Sequence, residues 1–346
     1  MKEGFDFAVI GINHGHIHGQ IDAMLGAGCR LTAFHAPEDD LARDFAARYP
    51  QARRVTDDDA ILSDPSVRLV VGAGIPSTRA DMAIRAMRAG KDVMVDKPGC
   101  TTRAQLVELQ RVQAETGRIW SVLYSEHHRQ KATVRAVEMV ANGAVGRVIH
   151  VAGFGPHRIG DPAERPDWFW EPDRNGAILT DIASHQFEQF LALSGATEAR
   201  VLHSVEANVD HPDRPAFLDY GHAVVTGGGA TGFHRVDWFT PEGSPVWGDG
   251  RLFVIGTEGT IELRKYMDTE GRPGGDHLFL TDGKGTQHID CSDTLLPYGP
   301  RLSDDVLNRT ETAMPQARCF LAMDLALQAH EMATGLDGGG RPELRT

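Results

Sequence analysis

Short apolar runs alternate with stretches of helical periodicity over the first 124 residues. Phe5 to Ile10 reads as a buried strand that runs into the turn Gly11 to Gly19, after which Ile21, Met24 and Leu25 recur at helical spacing. Arg30 to Phe34 is a second strand, and Pro37-Glu38-Asp39-Asp40 opens a helix with acidic residues in its first turn, the end that favours them. Val67 to Ala73 lies between Asp64-Pro65 and Gly74-Ile75-Pro76 and predicts a third buried strand. A helix over Thr78 to Ala89 follows, ended by Gly90. The strand and turn Lys91 to Gly99, a helix from Thr102 to Thr116 ended by Gly117, and a strand Ile119 to Tyr124 complete the series. Strands and helices alternating at this length predict a doubly wound parallel sheet, an α/β Rossmann domain over residues 1–124.

Beyond a helix near Lys131 to Ala141 the pattern changes to strands broken by glycine turns. Ala223 to Thr226 and Phe233 to Phe239 flank Gly227 to Ala230, and His277 to Thr281 faces Gln287 to Asp290 across Asp282 to Gly285. Such spacing predicts hairpins and a mainly antiparallel open sheet in an α+β domain over residues 125–346. Gly176 to Leu193 reads as one helix with Asp181, His185 and Glu188 on one arc, opposite Ile178, Leu179, Ile182, Phe187 and Phe190. Ala313 to Met332 reads as an amphipathic last helix that can return to the first domain.

Charge narrows the function. The formal charge of -13 over 346 residues argues against a nucleic-acid footprint and against an anionic membrane surface. Cys29, Cys100, Cys291 and Cys319 are far apart in sequence, which disfavours a disulfide framework or zinc site and fits a reducing, cytoplasmic compartment. The run from Phe7 to Ile12 is too short for a signal segment or a membrane span.

Candidate chemistry gathers at strand ends. Lys97 follows the short strand Val93 to Val95, where open α/β sheets gather ligands, and Pro98 stops that strand. The glycine turn after the first strand places backbone N–H groups at a helix N-terminus, as a pyrophosphate requires, although only Gly11 keeps its place in G-x-G-x-x-G. Asn13 and His16 hold the other two positions, with Gly15 displaced by one. His14, His16 and His18 alternate, but i and i+2 diverge on a helix, so no metal is expected there. Phe154 to Arg158 and Arg165 to Trp170 mix aromatics with cations, which suits either a pocket wall or a loop pinned by ion pairs.

Several of these residues carry a family likeness. Ala89-Gly90-Lys91-Asp92-Val93 leading into Asp96-Lys97-Pro98 resembles the Glu-Lys-Pro motif of the Gfo/Idh/MocA oxidoreductases, with Asp for Glu. Gly176, Asp181 and His185 match that family's G-x-x-x-x-D-x-x-x-H pattern, and Gly256-Thr257-Glu258-Gly259 matches a marker further on. The resemblance implies NAD or NADP as cofactor, a small-molecule substrate, and a homodimer or homotetramer formed through the C-terminal sheet. It implies Lys97, Asp181 and His185 as catalytic residues. Around the cofactor it implies Gly11, Asn13, His14, Gly15, His16, His35, Ala36, Ala73, Ile75, Pro76, Arg79, Asp96 and Lys97, and around the substrate Tyr124, Glu126, His157, Arg158, Arg165 and Trp168.

The expected reaction moves hydride between nicotinamide and a secondary alcohol carbon of a sugar, polyol or related hydroxy compound. A lysine serves as base only where burial or a neighbouring cation lowers its proton affinity, whereas a histidine needs no such help, so Lys97 and His185 both stay open as the proton carrier. Where the family often has an acid after the second strand this chain has His35 and Ala36, which leaves NAD and NADP both open. Two arginines, Arg158 and Arg165, suggest a preference for acidic sugars. Two alternatives remain: a dinucleotide-binding sensor without turnover, and a redox-assisted lyase or hydrolase that retains its cofactor.

Overall fold

The computed structural model describes residues 4–336. Six apolar segments form one parallel sheet: β1 (Asp6–Ile10), β2 (Arg30–His35), β3 (Arg53–Arg54), β4 (Val67–Gly72), β5 (Asp92–Asp96) and β6 (Trp120–Leu123), in the order β3-β2-β1-β4-β5-β6. Phe7, Val9, Leu69, Val71, Val93 and Val95 are removed from solvent, as a sheet covered on both faces demands. Strand order reverses between β1 and β4, the switch point at which such sheets open a crevice beyond the carboxyl ends of their strands. Local chemistry sets the helix ends. Thr102 accepts a hydrogen bond from the Gln105 N–H at 3.2 Å to start helix Arg103–Thr116, and Gly117, at φ +62°, ends it in the left-handed conformation that glycine adopts without strain.

The first compact unit holds the residues up to Leu123 together with Pro297–Phe320, and the second holds Tyr124–Leu296 and the chain from Leu321. The second half is therefore not continuous: the chain returns to the first unit before the last helix is complete. At the sheet edge Gln316 stands in for a missing strand. Its side-chain amide accepts from the Trp120 N–H at 2.9 Å and donates to the Trp120 carbonyl at 3.0 Å, which satisfies exposed ladder groups of β6. Phe320 stacks on the Trp120 ring at 4.9 Å, and the Arg309 guanidinium grips both oxygens of Asp92.

The second unit is built on an eight-stranded sheet: β7 (Val148–Pro156), β8 (Ala199–Ala207), β9 (Tyr220–Gly227), β10 (Ala230–Asp237), β11 (Arg251–Gly256), β12 (Gly259–Arg264), β13 (His277–Asp282) and β14 (Gly285–Ile289). Its order is β14-β13-β12-β11-β7-β10-β9-β8, antiparallel throughout except for the parallel pair β7 and β10. Both expected hairpins are present, one turning through Gly228 and Gly229, which have positive φ, and one through Gly283-Lys284.

The helix expected over Gly176 to Leu193 is two pieces, Ala177–Asp181 and Ala183–Ser194. Ile182 keeps helical dihedrals, but the next turn tightens: the His185 N–H bonds the Ile182 carbonyl, three residues back. Among the described residues no helix is long and apolar enough to cross a membrane.

Candidate active site

In the first unit the candidates meet at the carboxyl ends of β1, β2, β4 and β5. Gly11, at φ +81°, turns the chain out of β1, and a Cβ there would lie 2.9 Å from the Gly74 Cα, so only glycine lets the two loops pass. Hydrogen bonds join the turns: Gly11 N–H to the His35 carbonyl, Ala73 N–H to Gly11, and His14 N–H to Ala73. Gly15 stands ahead of helix Ile17–Gly26 with nothing within 4 Å of where its Cβ would be. An open glycine before a helix N-terminus fits a dinucleotide pyrophosphate, because the backbone can be approached closely there and the helix end favours negative charge.

Asp96 is the electrostatic centre of this half. Its carboxylate lies 3.0 Å from His16 Nδ1, 3.4 Å from His14 Nδ1 and 3.4 Å from the Arg79 guanidinium. Burial by itself would raise its proton affinity, but His16 and Arg79 outweigh that and hold the carboxyl well below its usual range. Burial, and then the charge of His16, lower His14 in turn, so it serves as a neutral ring although a third of its side chain is exposed. His14 and His16 do not diverge as a helix would require. They lie in the turn before Ile17, rings 4.2 Å apart, and with Asp96 offer donor atoms within 4.8 Å of one another. His18 is elsewhere, bonded to the Tyr49 hydroxyl.

Arg79 welds the turns after β4 and β5. It donates to the carbonyls of Gly74 (2.8 Å), Lys97 and Pro98 (3.2 Å) while almost wholly buried. Lys97 is only 3% exposed, unlike the solvated charge that a strand-end lysine usually is, and a cis peptide bond joins it to Pro98. Ile75 and Pro76 form the start of a short 3₁₀ turn between Gly74 and Arg79.

After β2 the structure adds what the sequence reading lacked. His35 pairs with Asp58, and Ala36 is buried with its carbonyl bonded to Arg54. Glu38, two positions further on, accepts from Asn13 Nδ2 at 2.8 Å, and its other oxygen is buried without a hydrogen-bond partner among the described residues. It stands three residues beyond the end of β2, inside the acidic run that opens the next helix.

The second unit carries its own polar cluster. His185 is buried beside Tyr124, ring to ring at 6.0 Å, while Asp181 is half-buried. Glu126 accepts from Lys265 Nζ at 2.7 Å and from Gln186 Nε2 at 2.9 Å. Burial opposes its charge, yet Lys265, and more distantly His185 and His157, hold it well below the usual carboxylate range. Glu188, read with Asp181 and His185 as one arc, is instead wholly buried and accepts from His127 Nδ1 at 2.8 Å, with His128 at 4.0 Å. Lys265, Gln186, His127 and His128 were not singled out from sequence, because each owes its place to contacts more than 55 residues away in the chain.

The two arginines proposed to grip an acidic substrate are committed elsewhere. Arg158 donates to the carbonyls of Pro241, Ser244 and Val246, and Arg165 donates to those of Ile159 and Arg158 while lying over Phe169 at 4.6 Å. Trp168 packs on the cluster of Ile159, Phe169, Trp170 and Phe217. These contacts pin a loop and use part of the arginines' donor capacity on the main chain. His157 is buried in an aromatic setting, 4.3 Å from the Trp247 ring and 5.4 Å from Trp238.

A sequence pattern described as oxidoreductase family, NAD-binding Rossmann fold, matches residues 5–124, and that of the GFO/IDH/MocA C-terminal domain matches residues 133–262. The chain belongs to the Gfo/Idh/MocA oxidoreductase family. A solved structure of a protein of Erwinia carotovora atroseptica SCRI1043, provisionally assigned as an oxidoreductase, is 40% identical, with a TM-score of 0.93 over 96% of this chain and 99% of that one. The scyllo-inositol 2-dehydrogenase (NAD(+)) of Bacillus subtilis strain 168 is 26% identical over 81% of this chain and 77% of its own. The D-xylose dehydrogenase of Paenarthrobacter nicotinovorans is 29% identical, but the match spans only 41% of this chain and 38% of that protein. As a Gfo/Idh/MocA protein the chain has an NAD(P)-binding Rossmann domain and a second domain on a mainly antiparallel sheet.

Proposed function

We propose that this chain transfers hydride between the C4 carbon of a nicotinamide dinucleotide and a secondary alcohol or carbonyl carbon of a neutral sugar or polyol. The observation that carries the reading is Lys97, a lysine buried at the exit of β5 and held by the Arg79 clamp on its own carbonyl. A lysine drawn out of solvent at a strand exit, beside a glycine turn suited to a dinucleotide, is placed for general acid–base work. The nicotinamide, when bound, supplies or accepts the hydride. Lys97, Asp181 and His185 are the groups assigned to hold and move the hydroxyl proton. Commitment of Arg158 and Arg165 to backbone carbonyls, and the charged Glu126, support a neutral polyhydroxy substrate over a sugar acid.

The test is absorbance of reduced nicotinamide with purified protein, NAD or NADP, and a panel of inositols, aldoses and sugar acids. Turnover confined to sugar acids would overturn the substrate class, and no turnover with any alcohol would overturn the reaction.

Glu38 supports NAD as the preferred dinucleotide. Half-buried beside Asn13 of the glycine turn, its carboxylate would accept from ribose hydroxyls and repel a 2′-phosphate. The cation in that region, Arg54, is bonded to Asp39 and the Ala36 carbonyl. The KM for NADP is expected to exceed that for NAD by roughly tenfold or more, the scale of one like-charge contact near a protein surface. Glu38→Gln should narrow that ratio, and an unchanged ratio would remove Glu38 from the cofactor site.

Self-association through the open face of the second sheet belongs to the same proposal. Phe233 and Phe253 are half-buried there on either side of Phe154, each ring within 6.4 Å of the Phe154 ring, an apolar cluster that a second copy would cover. A monomeric mass by light scattering would exclude it.

A further inference from the structure

Helix Ala183–Ser194 buries five polar side chains, Ser184, His185, Gln186, Glu188 and Gln189, where an ordinary core helix would carry mostly leucines. The short helix Ser125–His128 answers them. Tyr124, at its cap, meets the His185 ring, Glu126 accepts from Gln186, and His127 bonds Glu188, while Gln189 donates to the His185 carbonyl at 2.8 Å. Lys265, just past the end of β12, reaches the same Glu126 oxygen as Gln186, with its side chain fully out of solvent. A buried ion pair seldom adds stability over a packed apolar pair of the same volume, so its presence here calls for another reason. The second Glu126 oxygen has no hydrogen-bond partner among the described residues, which leaves part of that carboxylate's field unscreened.

We propose that Glu126 and Lys265 are a positioning pair for His185, whose opposed charges set the proton affinity of its imidazole. The inference rests on the reading that His185 handles the substrate proton. Within the second unit Tyr124 faces this ring and Glu126 interacts with it, Lys265 and Tyr266 after β12 and His157 after β7 bear on Glu126, and Asp181 and Glu188 lie on the ring's own helical stretch. Glu188 is engaged with His127 and His128, which leaves the Glu126–Lys265 pair as the charged element bonded to the residue next to His185. Interaction between Glu126 and both His185 and His157 supports this placement.

The signs are fixed by the charges. Glu126→Gln removes the anion and leaves the ammonium, so the imidazolium form of His185 is disfavoured and its titration midpoint falls. Lys265→Met removes the cation and leaves the carboxylate, so the midpoint rises. The double variant removes both and should return near the starting value. Each single shift should be on the order of one pH unit for charges several ångströms away in a protein interior of effective dielectric near 20.

The experiment is an NMR titration of the full-length protein with labelled histidine, the His185 resonance assigned by His185→Gln, read beside the acidic limb of the kcat/KM profile. Opposite shifts in the single variants and cancellation in the double support the proposal. A His185 midpoint unmoved, or moved the same way in both, overturns it. Should either single variant fail to fold, Glu126→Asp keeps the charge and must hold the wild-type midpoint, whereas the double variant must fold and titrate as the wild type does. Failure of either requirement overturns the pairing. If the resonance shifts as expected while the kinetic limb stays fixed, the pair still tunes His185, and it is the role of His185 in proton transfer that falls.

Discussion

Lys97→Ala is expected to lower kcat by a factor on the order of a hundred or more, with a denaturant midpoint that stays within reach of the wild type. Removing a positioned general acid or base costs typically 10²–10⁴-fold in rate. The structural reason the fold should survive is that the turn is held through the main chain: Arg79 bonds the Lys97 and Pro98 carbonyls, which alanine retains. Lys97→Met, which keeps the volume and removes the charge, separates packing from chemistry and should be as inactive as the alanine variant. The measurement is single-turnover reduction of nicotinamide at saturating cofactor, which isolates the chemical step from product release. Near-normal turnover in the methionine variant would sink the assignment of Lys97 and leave His185 as the proton carrier.

Arg79→Met should be the most destabilising single change in the first unit, by about 3–5 kcal/mol, the usual result of breaking a buried charged network by removing one member. The arithmetic follows from what it leaves behind: the carbonyls of Gly74, Lys97 and Pro98 and the Asp96 carboxylate, all buried, lose their common donor. Against a total stability of roughly 5–15 kcal/mol that is a large fraction, so the urea midpoint should fall steeply with little change in slope. The turns after β4 and β5 carry residues of the proposed dinucleotide site, so the same variant should bind NAD more weakly, read by quenching of tryptophan fluorescence. A variant with the wild-type midpoint would mean that water satisfies those carbonyls and that Arg79 is dispensable.

Much of this molecule was legible from the chain alone, and the legible part shares one physical cause. Strands β1, β4, β5 and β6 declare themselves because a parallel sheet buried on both faces needs continuous apolar runs, and Gly117 and the glycines of the hairpins mark ends that only left-handed backbone can make. Lys97, Asp96 and the glycine turn were found because strand exits are local features, and switch-point geometry says what gathers there.

What the tertiary structure decided are the matters that depend on partners distant in sequence. Arg158 and Arg165 look like anion ligands until the carbonyls of Pro241, Ser244 and Ile159 are seen to accept their hydrogen bonds. Glu126 is one acid among 48 acidic residues until Lys265, 139 positions away, holds it charged in the interior. The return of Pro297–Phe320 to the first unit rests on Gln316 closing a sheet edge that no periodicity announces. Hydrophobic pattern is written residue by residue, because burial of a face repeats with the period of the element. The pairing of polar groups is not, because a hydrogen bond or ion pair is specified by two positions that only the folded chain brings together.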